Sequence, residues 1–87
     1  MRLRSDGLSA RELDGRLIVL DIEESRYLTL SMSGTMLFRL MENGAGFDAL
    51  TDALVAEYDI DVEQAAADVR LFLEELREAK LLVPDPE

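Results

Sequence analysis

The stretch Asp14-Gly15-Arg16-Leu17-Ile18-Val19-Leu20-Asp21-Ile22-Glu23-Glu24-Ser25-Arg26-Tyr27-Leu28-Thr29-Leu30 decides the fold. Asp14-Gly15 is a two-residue hairpin turn, because glycine tolerates the positive φ that such a turn demands. Arg16 to Ile22 is rich in Ile, Val and Leu and reads as the strongest strand. Its neighbouring positions are nearly all apolar, which predicts a strand covered on both faces. Glu23-Glu24-Ser25 is a polar turn, and Arg26 to Leu30 follows as a short strand. Within it Leu28 and Leu30 share one face and Tyr27 and Thr29 the other. Upstream, Leu8 to Leu13 is a weaker strand on the far side of the hairpin turn.

Downstream the apolar period changes from two to that of a helix. Ser33 is the predicted N-cap of a first helix, with Met32 and Leu37 as a hydrophobic staple around it. Met36, Leu37, Leu40 and Met41 form its stripe, and Asn43-Gly44 stops it. A second helix is predicted over Phe47 to Tyr58, with Phe47, Leu50, Leu54 and Tyr58 on one face. Its cap is poor, since Gly46 has no side chain, although Asp48 suits the positive end of the dipole. Asp61 and Gln64 match a capping box before a third helix from Val62 to Ala79. There Val62, Ala65, Ala66, Val69, Phe72, Leu73 and Leu76 recur at helical spacing. Pro84 and Pro86 are expected to end ordered structure, after a short extended Leu81-Leu82-Val83. Strands followed by helices predict an α+β domain, an antiparallel meander packed on a small helical bundle.

The chain has 87 residues, no Cys and no His, and a net charge of −10. One small domain fits this length, with an expected ordered core of about residues 8–83. Thiolate and imidazole chemistry are excluded, and with them His- or Cys-ligated metals. No apolar run is long enough to span a membrane and no basic-then-apolar leader opens the chain, so a cytoplasmic protein is expected. Residues 1–43 carry six Lys/Arg against seven Asp/Glu, whereas residues 44–87 carry three against twelve. That acidic half disfavours nucleic acid and anionic lipid as partners.

Three constellations fail on inspection. Asp59, Asp61 and Glu63 alternate like calcium-loop ligands, but Gln64 and Arg70 stand where glycine and glutamate are required. The second and third helices resemble a helix-turn-helix, yet Asp59, Asp61, Glu63 and Asp68 would face phosphates. No serine has the Asp-Ser-Leu setting of an acyl carrier protein. No catalytic residues, metal or cofactor are therefore assigned.

The third strand is different. It contains no Pro or Lys, so an edge position would leave its backbone open to strand addition. The third helix beside it would complete a groove for an extended peptide, with Leu71 off the helix's main stripe. The residues alone favour the plainer reading, in which Phe72, Leu73 and Leu76 are core beside a hydrated edge.

The succession of pieces resembles the PqqD-like family of recognition elements for ribosomally synthesised, post-translationally modified peptides (RiPPs). The matching stretches are Asp14 to Asp21, Ser25 to Leu30, Gly34 to Leu40, Leu50 to Asp61 and Val69 to Leu82, covering roughly residues 8–83. The particular form resembles free-standing proteins of lasso peptide pathways, with pyrroloquinoline quinone and radical-enzyme pathways left open. The resemblance implies a winged-helix-like fold, three antiparallel strands then three helices. It implies a non-catalytic adaptor that takes a precursor's leader peptide as a strand on its own third strand, against the third helix. It also implies delivery to a leader peptidase and an ATP-dependent cyclase. Carried over, the site is Arg26, Tyr27, Leu28, Thr29 and Leu30 on the strand, with Asp68, Val69, Phe72, Leu73, Glu75 and Leu76 on the helix. Phe72 and Leu76 are the expected apolar walls, and Asp68 and Glu75 the polar contacts. Ser25 departs from the glycine common in that turn of the family. Several inter-strand bonds plus buried anchors predict sub-micromolar to micromolar affinity. The rival expectation is a winged-helix domain that dimerises through the same edge and binds no peptide.

Overall fold

In the computed structural model, which describes residues 2–4 and 6–83, the hairpin forms where Asp14-Gly15 requires it. Asp14 has φ 53° and Gly15 φ 79°, the two positive values of a type I′ turn. The turn joins β2 (Leu8–Leu13) to β3 (Arg16–Asp21), and β4 (Arg26–Thr29) completes an antiparallel sheet of order β2-β3-β4. Three helices follow: α1 (Met32–Glu42), α2 (Phe47–Tyr58) and α3 (Val62–Glu78). A two-residue strand upstream of the hairpin, β1 (Arg2–Leu3), pairs antiparallel with β5 (Leu82–Val83) and brings the two ends of the described chain together. The expected stop at Pro84 and Pro86 lies outside the described residues.

Only one face of the sheet is covered, which corrects the expectation for β3. Leu17, Val19 and Asp21 point into the protein, whereas Leu20 is 43% exposed and Ile22 60%. A three-stranded meander with all its helices on one side leaves the other side to water. The core on the covered side joins Leu17, Val19 and Leu30 to Leu37, Phe38, Leu50, Leu54, Val69, Phe72 and Leu76.

The helix ends explain the order of packing. Ser31, not Ser33, caps α1, its hydroxyl accepting from the Gly34 N–H at 3.0 Å. The staple placed around Ser33 therefore does not form, and Met32 is 64% exposed. Starting α1 at Met32 turns Thr35 and Phe38 inward, and the Leu17 N–H donates to Thr35 Oγ1 at 2.8 Å. That bond fixes α1 to the central strand. The first turn of α1 also passes close to α3. A Cβ on Gly34 would sit 3.2 Å from Phe72 Cε1, so the residue here must be small. Asp61 caps α3 through the Gln64 N–H at 2.8 Å. The capping box stays open, because Gln64 Nε2 turns to Asp68 Oδ1 instead.

Candidate functional site

Antiparallel pairing sorts the backbone groups of β4 by parity. The Leu30 N–H donates to Leu17 O at 2.8 Å, so this pair belongs to the hydrogen-bonded class. Counting back along the register, Leu28↔Val19 and Arg26↔Asp21 are also of that class. Tyr27 and Thr29 fall between them, and their N–H and C=O groups point away from β3. As β4 is the last strand of the sheet, these four groups form an open edge. The edge stops at Thr29, one residue short of the expected end. Leu30 is buried, with its N–H on Leu17 and its C=O accepting from Arg16 Nε at 3.1 Å.

The expected wall is one side of α3. Asp68, Leu71, Phe72 and Glu75 stand at i, i+3, i+4 and i+7 and line a cavity of about 430 Å³. Gly34 and Ser33 of α1 and Tyr58 and Ile60 from the end of α2 close its other sides. Leu71 is 64% exposed, an apolar side chain held in water on the rim. At the far end of β4, Arg26 reaches across and donates from Nη2 to Ala79 O at 3.0 Å. Beside that tie a smaller hollow of about 150 Å³ is lined by Val19, Asp21, Tyr27 and Leu28. The hollow along β4 and the α3 cavity, which begins at Ser31 two residues past β4, share no lining residue; with the edge they outline the expected peptide channel, acidic on its helical side through Asp68 and Glu75.

Several helix residues expected in this channel lie elsewhere. Val69 and Leu76 are fully buried and belong to the core, with no surface to offer. Leu73 is on another side of α3, where Arg70, Leu73, Glu74 and Arg77 line a separate cavity of about 440 Å³. There Arg70 lies over the Phe47 ring, 5.4 Å from its centroid. Of the eleven expected site residues, Asp68, Phe72 and Glu75 line the α3 cavity, Arg26, Tyr27 and Leu28 line the hollow, and Thr29 adds outward backbone on the edge. Ser33, Gly34, Tyr58 and Ile60 were not anticipated, since each contributes by packing between elements and carries no local motif.

One buried charge braces the channel. Arg4 Nη2 lies 2.7 Å from Asp21 Oδ1, and Arg4 Nη1 donates to Lys80 O at 3.0 Å. The Arg4 hydrogen bond holds the Asp21 carboxyl below the ordinary aspartate value of 3.8; burial opposes this, and the Glu24 N–H reinforces it. The pair ties the N-terminal segment to the end of β3 and to the turn after α3. Among the described residues no cluster of acidic side chains is arranged to hold a metal ion, and no helix is long and apolar enough to cross a membrane.

Comparison with known proteins adds to this geometry. The sequence profile of the family described as Coenzyme PQQ synthesis protein D (PqqD) matches residues 16–82. A solved structure of TbiB1 in complex with the TbiA(beta) leader peptide superposes with a TM-score of 0.89 at 28% identity, covering 100% of each chain. A lasso peptide synthetase B1 complexed with its leader peptide superposes with a TM-score of 0.86 at 22% identity, covering 95% of this chain and 96% of that one. The second likeness concerns the fold alone. No curated protein sequence matches the chain.

Proposed function

The chain belongs to the PqqD family of RiPP recognition elements, and from that premise we propose that it binds a precursor's leader peptide as an added strand on β4. The observation that carries this reading is the open backbone of Tyr27 and Thr29, with a cavity large enough for apolar anchors beginning at Ser31 just past the strand. Two residues offering one donor and one acceptor each allow four inter-strand bonds. At roughly 0.5–1.5 kcal/mol net apiece, these give about 2–6 kcal/mol. One or two apolar side chains entering the wall cavity add about 1.5–3 kcal/mol each. After association costs, a micromolar dissociation constant, about −8 kcal/mol, is within reach. Phe72 and Leu71 give the apolar contact, while Asp68 and Glu75 steer a leader carrying Lys or Arg.

The domain acts as a non-catalytic adaptor. It delivers the bound precursor to the leader peptidase and ATP-dependent cyclase of a lasso peptide pathway. Support for leader binding comes from the TbiB1 complex with its leader peptide, and the lasso pathway is the reading that the sequence resemblance suggests.

An NMR titration of labelled protein with the synthetic leader tests the binding step. Amide shifts on Tyr27, Thr29, Asp68, Phe72 and Glu75 are the expected result. Saturating leader that leaves these signals in place would sink strand addition at β4.

A further inference from the structure

The sheet has a second open edge. The pairs Leu13↔Arg16, Arg11↔Ile18 and Ser9↔Leu20 use the β3 groups that face away from β4, and the Ile22 N–H continues the ladder to Gly7 O at 2.8 Å. Leu8, Ala10 and Glu12 therefore turn their N–H and C=O groups outward, and among the described residues nothing bonds them. This edge has six residues in unbroken register, with no Pro, Lys or bulge to protect it. Beside it, on the covered face of the sheet, lies a cavity of about 490 Å³. Arg2, Arg4, Leu8, Ala10, Phe38 and Met41 contribute to its walls. Arg4 Nε in that wall is buried and has no hydrogen-bond partner among the described residues.

We propose that β2 pairs with β2 of a second copy of this chain, antiparallel about a two-fold axis at Ala10. In this register Leu8 lies opposite the partner's Glu12, Ser9 opposite the partner's Arg11, and Ala10 opposite the partner's Ala10. No like charges face each other directly. The three outward residues of each copy exchange six backbone bonds, and the two sheets become one. The partner's Glu12, which lies 3.5 Å from its own Arg39, comes to the covered face beside Leu8, where the cavity is lined by Arg2, Glu42 and the Arg4 that pairs with Asp21. Shifting the register by one pair would set Arg11 against the partner's Arg11.

Charge distribution selects the same surface. Pairing through β2 joins two strands that each carry one Arg and one Glu, whereas pairing through β4 would bring together the Asp68 and Glu75 walls of both copies. The contact is only six residues a side, so the dimer is weak and reversible, with a dissociation constant on the order of 100 μM. It leaves β4 free, so dimerisation and leader binding are independent properties.

Sedimentation equilibrium of the full chain reads the proposal directly. Wild type is expected to dimerise with rising concentration. Ala10→Pro is expected to be monomeric throughout with an unchanged circular dichroism spectrum, since its lost N–H points outward. Should that variant misfold, Glu12→Arg provides the second arm and is expected to weaken association about tenfold or more. Wild type that remains monomeric at about 1 mM, ten times the expected constant, overturns the proposal. So does a dimer that both substitutions leave intact.

Discussion

The two edges of one small sheet carry the same backbone chemistry and face different surroundings. At β4, two outward residues belong to a channel whose helical wall presents Asp68 and Glu75. At β2, three outward residues adjoin a cavity of mixed charge, walled by Arg2, Glu42 and the Arg4 paired with Asp21. Backbone donors and acceptors attract any extended strand, so the flanking charge decides which strand each edge receives. Basic guests suit β4, whereas β2 suits a strand of balanced charge such as its own. The difference teaches that selectivity here comes from what stands beside a strand rather than from the strand itself.

The comparison depends first on α3 separating core from channel. Leu76→Ala is expected to lose about 2–5 kcal/mol of stability, because Leu76 is fully buried. The folded fraction should bind leader with unchanged affinity, measured by denaturant unfolding beside fluorescence anisotropy. A large affinity loss with intact stability would instead place Leu76 in the channel.

Parity along β4 gives the next largest effect. Leu28→Pro removes a ladder bond inside the sheet and should cost about 3 kcal/mol in a thermal melt. Thr29→Pro removes an outward donor, so stability should be nearly kept while leader affinity falls about tenfold, the loss of one to one and a half kcal/mol. Equal behaviour of the two variants would dissolve the distinction between inward and outward groups.

Asp21 tests whether the edges share a support, since it pairs with Leu8 on one side and Arg26 on the other. Its carboxyl titrates below the ordinary aspartate value of 3.8, with Arg4 as the main cause. The carboxylate form therefore stabilises the fold above that value, and the contribution disappears as pH falls through the lower folded-state value. Melting temperature followed from neutral to strongly acidic pH should drop more steeply for wild type than for Asp21→Asn. Parallel curves would remove Asp21 from the account.

The smallest effect belongs to the acidic wall. Glu75→Gln should slow association with a basic leader a few-fold at low ionic strength and leave dissociation almost unchanged. Stopped-flow rates at two salt concentrations check this, and a salt-independent rate would dismiss steering.

Much of this fold is legible in local sequence. Asp14-Gly15 fixed the hairpin, and β2 and α2 have the boundaries expected from their apolar patterns. Ser25 adopts φ 54° where the family favours glycine, so the turn tolerates serine in the left-handed region and β4 keeps its place. What sequence could not supply came from contacts distant along the chain. The β1–β5 pair has two residues per strand, too few for any periodicity. Ser31 and Ser33 are equally good caps by chemistry, and Thr35 reaching Leu17 decided between them. The apolar spacing of α3 identified Val69, Phe72, Leu73 and Leu76 as inward or half-inward. Which side faced core, channel or the Phe47 pocket was settled only by where α1 and α2 packed.

The outward groups of Tyr27 and Thr29 belong to the main chain, so mutation of either side chain leaves the attachment points standing. Over generations such an edge can hold constant while its surroundings drift. A lineage could adopt a new precursor by altering Leu71, Tyr58 or Ile60 around the cavity without rebuilding the strand that grips it. Inheritance would then record the history of the partner peptide in the wall and leave β4 a poor witness to it.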